Sequence, residues 1–400
     1  MNKVAVTELV KRGDIVEIQD GNHGNDHPLS EEYVTSGVPF ILARDIKKGS
    51  VDYSTCNFLK PDRARMLRVG FAHPGDILLT HKGTVGEVAL VPETYPVTIL
   101  TPQVTYYRLN PNGELNGKYL YHILQCRDVQ HYIKLWSKQS TRSYLSISAQ
   151  KKLILPICGK KKQIKISEVI DKFDFNILTT QQLIAAKEKA YSTYVTTLLD
   201  PNNFTKSTEY HFEQLFTPKN NKNFNKDNLE LLSVTKNGIV MQRDYFNKDI
   251  ASSDLSKYLI AFRHDLVMSG LNFWMGAIDF QEICDAGLVS PAYKLFELNG
   301  ALADFSYMRH YVRSKNMLRI LMRASVQGAS IVRRNIDIDQ LEQSKIILPP
   351  MEKQKSIGHL LDLKKQEVNL LSSLLRKYRE QKRGLMQKLL TGEWTVKSLE

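Results

Sequence analysis

The sequence predicts a mixed α+β chain built twice: two repeated α/β domains alternating with two long helices. Three observations carry this. Residues 42 to 102 and 231 to 291 align without a gap at a displacement of 189, anchored by Gly49 with Gly238, Val51 with Val240, Asp76 with Asp265 and Pro102 with Pro291. A second block repeats at 191, pairing Gln163 with Gln354, Ile166 with Ile357, Asp171 with Asp362 and Leu198-Leu199 with Leu389-Leu390. Heptads then run through both copies of that block. A doubled chain of this kind can fold as a pseudo-symmetric dimer within one polypeptide, with two near-equivalent surfaces free to vary independently.

The first domain is expected over residues 1–157. Short apolar runs at Asp76–Thr80, Glu87–Val91 and Gln103–Tyr107 are bounded by Gly, Pro and His, the punctuation of strands and turns. A helical stretch follows from Asn116 to Lys138, and Lys152–Pro156 reads as a closing strand. The second domain, residues 201–349, answers with strands at Asp265–Ser269 and Tyr293–Glu297, a helical stretch from Ala303 to Arg323, and a closing strand at Lys345–Pro349. His122 matches His310 within these helical stretches at a displacement of 188.

The long helices are expected at 158–200 and 350–394, with a short tail at 395–400. In the first, apolar or aromatic residues fall at Ile166, Ile170, Phe173, Ile177, Ile184, Tyr191, Tyr194 and Leu198, with Thr180 and Lys187 taking seam positions. The second repeats the spacing at Ile357, Leu361, Val368, Leu371, Leu375, Tyr378, Leu385 and Leu389, with Lys364 and Lys382 as its polar seam positions. Five heptads without an internal proline favour a coiled coil, and each helix would be about 55 Å long. Lys364 and Lys382 correspond by position to Phe173 and Tyr191, and Lys187 to Tyr378. The helices thus complement rather than copy each other, which favours pairing within the chain over self-pairing. Pro201 ends the first helix, and Gly392 follows the last periodic residue of the second.

Composition narrows the function. Of 400 residues, 42% are hydrophobic and 24% charged, and 55 Lys plus Arg against 42 Asp plus Glu leave a net charge of +13. Such a balance favours polyanionic partners, nucleic acid foremost. No run of about 18 apolar residues exists, and the amino-terminal segment has too short an apolar core for a signal peptide, so a soluble cytoplasmic protein is expected. Cys56, Cys126, Cys158 and Cys284 are scattered without a CxxC pair, against both a zinc site and a disulfide framework.

No catalytic motif appears. The Pro-Pro-aromatic motif of adenine methyltransferases is missing, since Asn110-Pro111-Asn112 and Asp200-Pro201-Asn202 lack the second proline. No GxxxxGK[ST] phosphate loop is present. The one E-x-K, Glu380-Gln381-Lys382, lies mid-helix rather than on a strand edge. His73 and His81 flank an apolar strand and read as turn residues.

Residues suited to nucleic acid do appear. Lys82, Gly83 and Thr84 open a turn whose backbone N–H groups and cation can approach phosphates; a plain hairpin turn is the competing reading. Gln139, Ser140, Thr141, Arg142 and Tyr144 form a polar loop, answered in the second copy by Gln327, Ser330 and Arg333. Arg can bridge guanine and Gln adenine, so these side chains suit base readout, against the alternative of a solvated loop. Arg44 and Lys236, after the first strong strand of each copy, suit phosphate contacts or simple surface charge. The basic run Arg376, Lys377, Arg379 and Arg383 is expected on the outside of the coiled coil as a solvated or partner-docking face.

The order of parts, with DILLTHKGTVGEVALVPE at 76 to 93, LTPQVTYYRL at 100 to 109, QLEQSKIILPPMEKQKSI at 340 to 357 and RGLMQKLLTGEW at 383 to 394, resembles the specificity subunit of type I restriction-modification systems. The resemblance spans nearly the whole chain. It implies that each globular domain is a target recognition domain reading one half of a split DNA target. It implies further that the helices form an antiparallel coiled coil, a spacer docking two modification (methyltransferase) subunits, with restriction (motor-nuclease) subunits joining the complex. S-adenosylmethionine would then sit on the modification subunits and ATP with Mg on the restriction subunits, and this chain would be non-catalytic and hold no cofactor of its own. Two departures stand out: KKKQI at 160 to 164 lacks the proline and acidic residue that Pro350 and Glu352 supply in the second copy, and Asn272-Phe273-Trp274-Met275-Gly276 replaces the GTVG turn. Asn272 and Trp274 are therefore the corresponding candidate contacts in the second domain. Half-sites one helical turn apart, about 10 bp, would follow from a two-domain reader on one duplex face. A standalone two-domain DNA binder and a coiled-coil protein-interaction scaffold are the alternatives.

Overall fold

The structure is a computed structural model that describes residues 1–24, 26–138, 143–224, 228–245, 255–327 and 334–395. It divides into two compact units, one formed by Met1–Thr179 with the segment from Leu374 onward, the other by Thr180–Ser373. Each unit therefore takes a piece of both long helices, which run Lys160–Leu198 and Met351–Thr391.

In the first unit a four-stranded antiparallel sheet runs in the order Thr84–Leu90, Ile77–Lys82, Val104–Leu109, Ile15–Asp20. A five-stranded sheet packs beside it and contains one parallel pair, Thr98–Leu100 with Val38–Ile41. The closing strand Ile154–Ile157 pairs antiparallel with Asn2–Ala5. Ile77, Leu79 and Tyr107 face the core that the helices complete, whereas Leu78, Ala89 and Tyr106 face the second sheet. That split follows the two-residue period of a strand buried on both faces.

The second unit repeats the arrangement. Its four-stranded sheet runs Phe216–Lys219, Tyr293–Leu298, Leu266–Ser269, Ile278–Phe280, and its other sheet again holds one parallel pair, Glu230–Thr235 with Ala286–Val289. Thr208–His211 pairs with Lys345–Leu348 as Asn2–Ala5 does with Ile154–Ile157. Registers agree as well: Thr105 lies opposite Leu79, and Lys294 opposite Met268, both pairs displaced by 189.

Each predicted helical stretch is in fact two helices. Gly117–Gln125 and Arg127–Ser137 break at Cys126, and Phe305–Tyr311 and Lys315–Arg323 break before Ser314. Cys126 and Ser314 adopt extended backbone, and the Ser314 hydroxyl accepts from Met317 N–H. Amphipathic spacing continues across such a break, so periodicity alone reads it as one helix.

Along the long helices, burial follows the heptads. Ile166 and Ile170 are buried with Met386, Leu389 and Leu390 in the first unit's core, and Phe173 meets Tyr378 edge-on at 6.4 Å. In the second unit Ile357 and Leu361 join Leu199 in the core. Ile177, Ile184, Leu371, Leu375 and Leu385 are half-buried, and Val368 is buried. One position is corrected: Val195, not Tyr194, continues the seam after Tyr191, packing on the core while Tyr194 is 40% exposed. The polar seam positions also resolve. Thr180 is buried, Lys187 pairs with Glu367 at 2.6 Å, Lys382 pairs with Asp174, and Lys364 lies 5.9 Å from the Tyr194 ring. The seam lysines therefore find carboxylates or a ring beside the seam. Arg376, Lys377, Arg379 and Arg383 are exposed. No helix among the described residues is long and apolar enough to cross a membrane.

Candidate nucleic-acid interface

In the first unit, strands Ile77–Lys82 and Thr84–Leu90 reverse at Gly83, whose φ of +77° favours glycine. Lys82, Gly83 and Thr84 are exposed there. The structure lays this tip against the polar stretch some sixty residues later. Lys82 forms a β-bridge with Tyr144, Gly83 N–H donates to Ser143 O at 3.1 Å, and Leu145 N–H donates to His81 O at 2.8 Å. Gln139, Ser140, Thr141 and Arg142 lie outside the described residues.

Beneath the tip is a buried polar chain. Tyr107 donates to Gln150 Oε1 at 2.7 Å, Gln150 Nε2 donates to Thr105 Oγ1 at 2.9 Å, and Thr105 Oγ1 is bonded to His81 Nδ1. His81 is thus a buried strand residue rather than the turn residue expected. Burial also lowers its pKa, which keeps this support uncharged at neutral pH. The hairpin carries a bulge between Val85 and Val88, with Gly86 at φ +102°. A Cβ at Gly86 would come within 2.8 Å of Gln130 Oε1, and Gln130 Nε2 donates to Gly86 O and Leu124 O, tying the hairpin to the helix Arg127–Ser137. The short turn Ala43–Asp45, which presents Arg44 to solvent, packs against the strand Thr84–Leu90.

The second unit presents its candidates differently. Lys236 is exposed at the tip of a hairpin held by Arg313, whose guanidinium donates to Lys236 O, Asn237 O and Asp279 Oδ2 at 3.0–3.1 Å. Asn272 is exposed, its N–H donating to Ser269 Oγ at 3.1 Å. Trp274 departs from the sequence reading: its ring packs on the core and its indole nitrogen is buried. The turn Phe273–Met275 folds inward there because Phe273 is fully buried. Gln327 ends the strand Ser325–Gln327, which pairs with Arg334–Ile336. The Gln327 side chain, Ser330 and Arg333 lie outside the described residues.

Residues that anchor the repeat build the joint between each sheet domain and its long helix. Gln163 accepts from Asn116 N–H at 2.8 Å and donates to Glu114 O and Cys158 O. Gln354 does the same with Asp304 N–H, Pro349 O and, at 3.5 Å, Leu302 O. His122 Nε2 donates to Asp171 at 2.8 Å, and His310 Nε2 donates to Asp362 at 2.9 Å. The signal was the near coincidence of two displacements, 188 in the short helices and 191 in the long ones. Burial pushes the Asp171 carboxyl up, but hydrogen bonds from His122 and Lys118 outweigh it and hold the pKa below the ordinary value. Asp174 stands near His122 and Asp171, within metal-ligand reach. However, Lys118 at 2.6 Å from Asp171 and Lys382 on Asp174 already neutralise both carboxylates, which makes this a charge-paired joint rather than a cation site.

Two copies of one α/β domain, each joined in the same way to a long helix and each carrying polar residues at a strand hairpin or turn, define the class: a tandem α/β-domain protein with two long helices. Residues 7–189 match the model of the type I restriction modification DNA specificity domain. Solved structures share the fold along the whole length. The type I restriction-modification system S subunit from M. genitalium is 13% identical with a TM-score of 0.57, covering 97% of this chain and 96% of that one. A chain from a structure described as the basis of complex assembly and conformational transition of the type I R-M system is 11% identical, TM-score 0.57, covering 98% of both. The HsdS subunit from Thermoanaerobacter tengcongensis is 13% identical, TM-score 0.50, covering 98% and 97%.

Proposed function

We propose that this chain is the non-catalytic specificity subunit of a type I restriction-modification complex, with each unit reading one half of a bipartite duplex target. The observation that carries the reading is the pairing of two recognition units with a common joint and unlike exposed loops. A shared joint gives both domains the same mounting, and divergent loops give each its own half-site. Lys82, Gly83, Thr84 and Tyr144 in the first unit, and Lys236 and Asn272 in the second, are the described residues offered to DNA.

Docking of modification subunits is supported by apolar side chains that the seam leaves outside. Phe175 and Leu178 on the first helix, and Leu363 and Leu370 on the second, are 48–68% exposed. Such side chains are suited to burial by a partner protein. On this reading S-adenosylmethionine belongs to the modification subunits, and ATP with Mg to restriction subunits.

Methylation mapping of DNA modified by the assembled complex tests the proposal: one split sequence is expected, and replacing residues 201–349 with a relative's domain should change one half only. Duplex binding that stays sequence-independent with the modification subunit present would refute it. Inserting one heptad in both helices, about 10 Å, should lengthen the target's spacer by about 3 bp or abolish activity; an unchanged target would reject the helices as the ruler.

A further inference from the structure

Lys219, Lys222, Lys257 and Lys294 line a single concavity of about 600 Å³ in the second unit, together with Tyr293 and Ile338; no carboxylate among the described residues lines it. Lys219 is spent inside the fold, on Asp265 at 2.7 Å and Glu297 at 3.9 Å. The other three lysines are exposed, and none has a carboxylate partner among the described residues. The backbone at Lys222 and Lys294 is fixed by pairing. Lys222 forms a bridge with Leu259, flanked by bonds from Ile260 N–H to Asn221 O and from Asn223 N–H to Tyr258 O, and Lys294 sits mid-ladder opposite Met268. The three amines are thus mounted around one opening, where their positive potentials add.

The opening adjoins the predicted reading hairpin. Ile338 starts the short helix that follows strand Arg334–Ile336, and Asp337 N–H is tied to Ala324 O at 2.9 Å, at the hairpin's foot. The corresponding positions in the first unit do not repeat this set of unpaired lysines. Thr105, buried beneath His81, stands where Lys294 does, and Arg68, 3.9 Å from Asp26, stands where Lys257 does. No core demand explains three amines at one concave site with no carboxylate partner among the described residues; a polyanion with repeating phosphates does.

We infer that Lys222, Lys257 and Lys294 hold the phosphate backbone of duplex DNA beside the hairpin that carries Gln327. The inference rests on the DNA-reading role proposed above and adds residues that grip a strand without reading it. Phosphate contacts fix position and carry no sequence information, and each one released on binding sets part of the salt dependence.

The test is the full-length chain binding a duplex without its target, titrated across salt. The triple variant K222Q/K257Q/K294Q should flatten the plot of log Kd against log salt by about 2.7, at about 0.9 per phosphate contact. The corresponding triple Lys→Arg variant should keep the wild-type slope. In the assembled complex, the triple Gln variant should methylate the same sequence. An unchanged slope in a folded triple Gln variant overturns the inference, as does an altered methylation sequence, which would make these residues base readers. Should the triple variant fail to fold by circular dichroism, the three single Gln variants are each expected to flatten the slope by about 0.9, and no change in any of them has the same overturning force. Wild-type chain that binds no duplex at any salt would instead sink the DNA-reading role itself. Anionic vesicles that compete as well as DNA would assign the lysines to a membrane surface and overturn the inference.

Discussion

The two units are nearly the same molecule at their joints and different molecules at their faces. At the joints, Gln163 and Gln354 make the same set of bonds, Asn116 and Asp304 cap the same helix start, and His122 and His310 reach equivalent aspartates. Away from the joints even a shared device is rebuilt. Asp76 and Asp265 are both buried and both accept from a backbone N–H three residues earlier. In the first unit the neutralising cation is Arg108, which also pairs with Glu17; in the second it is Lys219, from the neighbouring strand, close to Glu297. Glu297 occupies the ladder position of Arg108, so the charges have exchanged strands around an unchanged aspartate. A buried carboxylate demands a cation but does not dictate which strand supplies it.

The largest effects should come from breaking the joints. Gln163→Ala leaves Asn116 N–H and the carbonyls of Glu114 and Cys158 without their partner in a buried setting. The expected cost is about 3 kcal/mol or more, and a melting shift of roughly 6–12 °C for a unit of this size. Gln354→Ala should cost somewhat less, about 2 kcal/mol, because one of its three bonds is already long. Thermal unfolding of both variants checks this; a loss under about 0.5 kcal/mol in either would remove the joint as the source of the domains' mounting.

Acid should act on the two units through different buried histidines. Burial lowers the pKa of His310 below the ordinary value even though Asp362 works to raise it. A histidine whose folded pKa is depressed binds its proton more readily when unfolded. Its contribution is therefore complete above the unfolded value of about 6.5 and is lost as pH falls toward the folded value. Asp171 in the first unit is depressed too, so its contribution holds until pH falls below the ordinary carboxylate range, near 4. The pKa of His81 in the first unit is lowered by burial in the same direction, so between pH 7.5 and 5.5 both units should weaken, and His310→Gln should flatten the drop of the second unit alone. Tyr191 sharpens the contrast: its hydroxyl donates to His310 Nδ1 at 2.8 Å, whereas the Nδ1 of His122 has no partner among the described residues. Tyr191→Phe, costing about 1 kcal/mol, should make the second joint resemble the first; equal pH profiles for all these proteins would contradict the assignment.

Smaller effects are expected at the seam, where charge distinguishes the halves. Taking the displacement of 191, Glu367 corresponds to Asn176 (367 − 191) and Asp174 to Lys365 (174 + 191). If the first half paired with itself, Lys187 would face Asn176 instead of Glu367; if the second half did, Lys382 would face Lys365 instead of Asp174. Both ion pairs are partly solvated, so each is worth about 0.5–1 kcal/mol. Lys382→Asp should weaken association of separately expressed halves by up to tenfold, and adding Asp174→Lys should restore most of it. A double-mutant cycle with no coupling would leave the apolar seam alone to choose partners.

Much of this was legible in the sequence, for a physical reason. Heptads and the gap-free repeat fixed the helices, and strands buried on both faces appear as apolar runs between glycines and prolines, as at Ile77–Leu79. The helix break at Cys126 was not legible, because amphipathic spacing carries across it. His81 looked like turn punctuation, since nothing local says that Thr105 and Gln150 wait beneath it. Trp274 reads as a candidate contact at a turn, and only the burial of Phe273 beside it turns the loop inward. The lysine concavity draws residues from three separated stretches of chain, 219–222, 257 and 294, and no local pattern joins them.

The smallest effect is expected where the two units differ only in connectivity. In the second unit the first long helix ends at Leu198 and the chain continues through Asp200–Ser207 into strand Thr208–His211. In the first unit the second long helix ends at Thr391, and Met1, just before strand Asn2–Ala5, lies beside its Gly392 cap: a Cβ built there would sit 3.2–3.7 Å from Met1 atoms. The two segments are spatial neighbours without being joined. A permuted chain that links the residues after Gly392 to Met1 by a few glycines and serines, with new ends within 201–207, should keep both cores and both joints intact. Closing a short loop between adjacent ends costs little, so its melting temperature should stay within about 4 °C of the parent, a change near 1 kcal/mol, and its methylation target should not change. A permutant that fails to fold would show that Asp200–Ser207, with Phe204 packed on the second core, is structural in a way the open junction in the first unit is not.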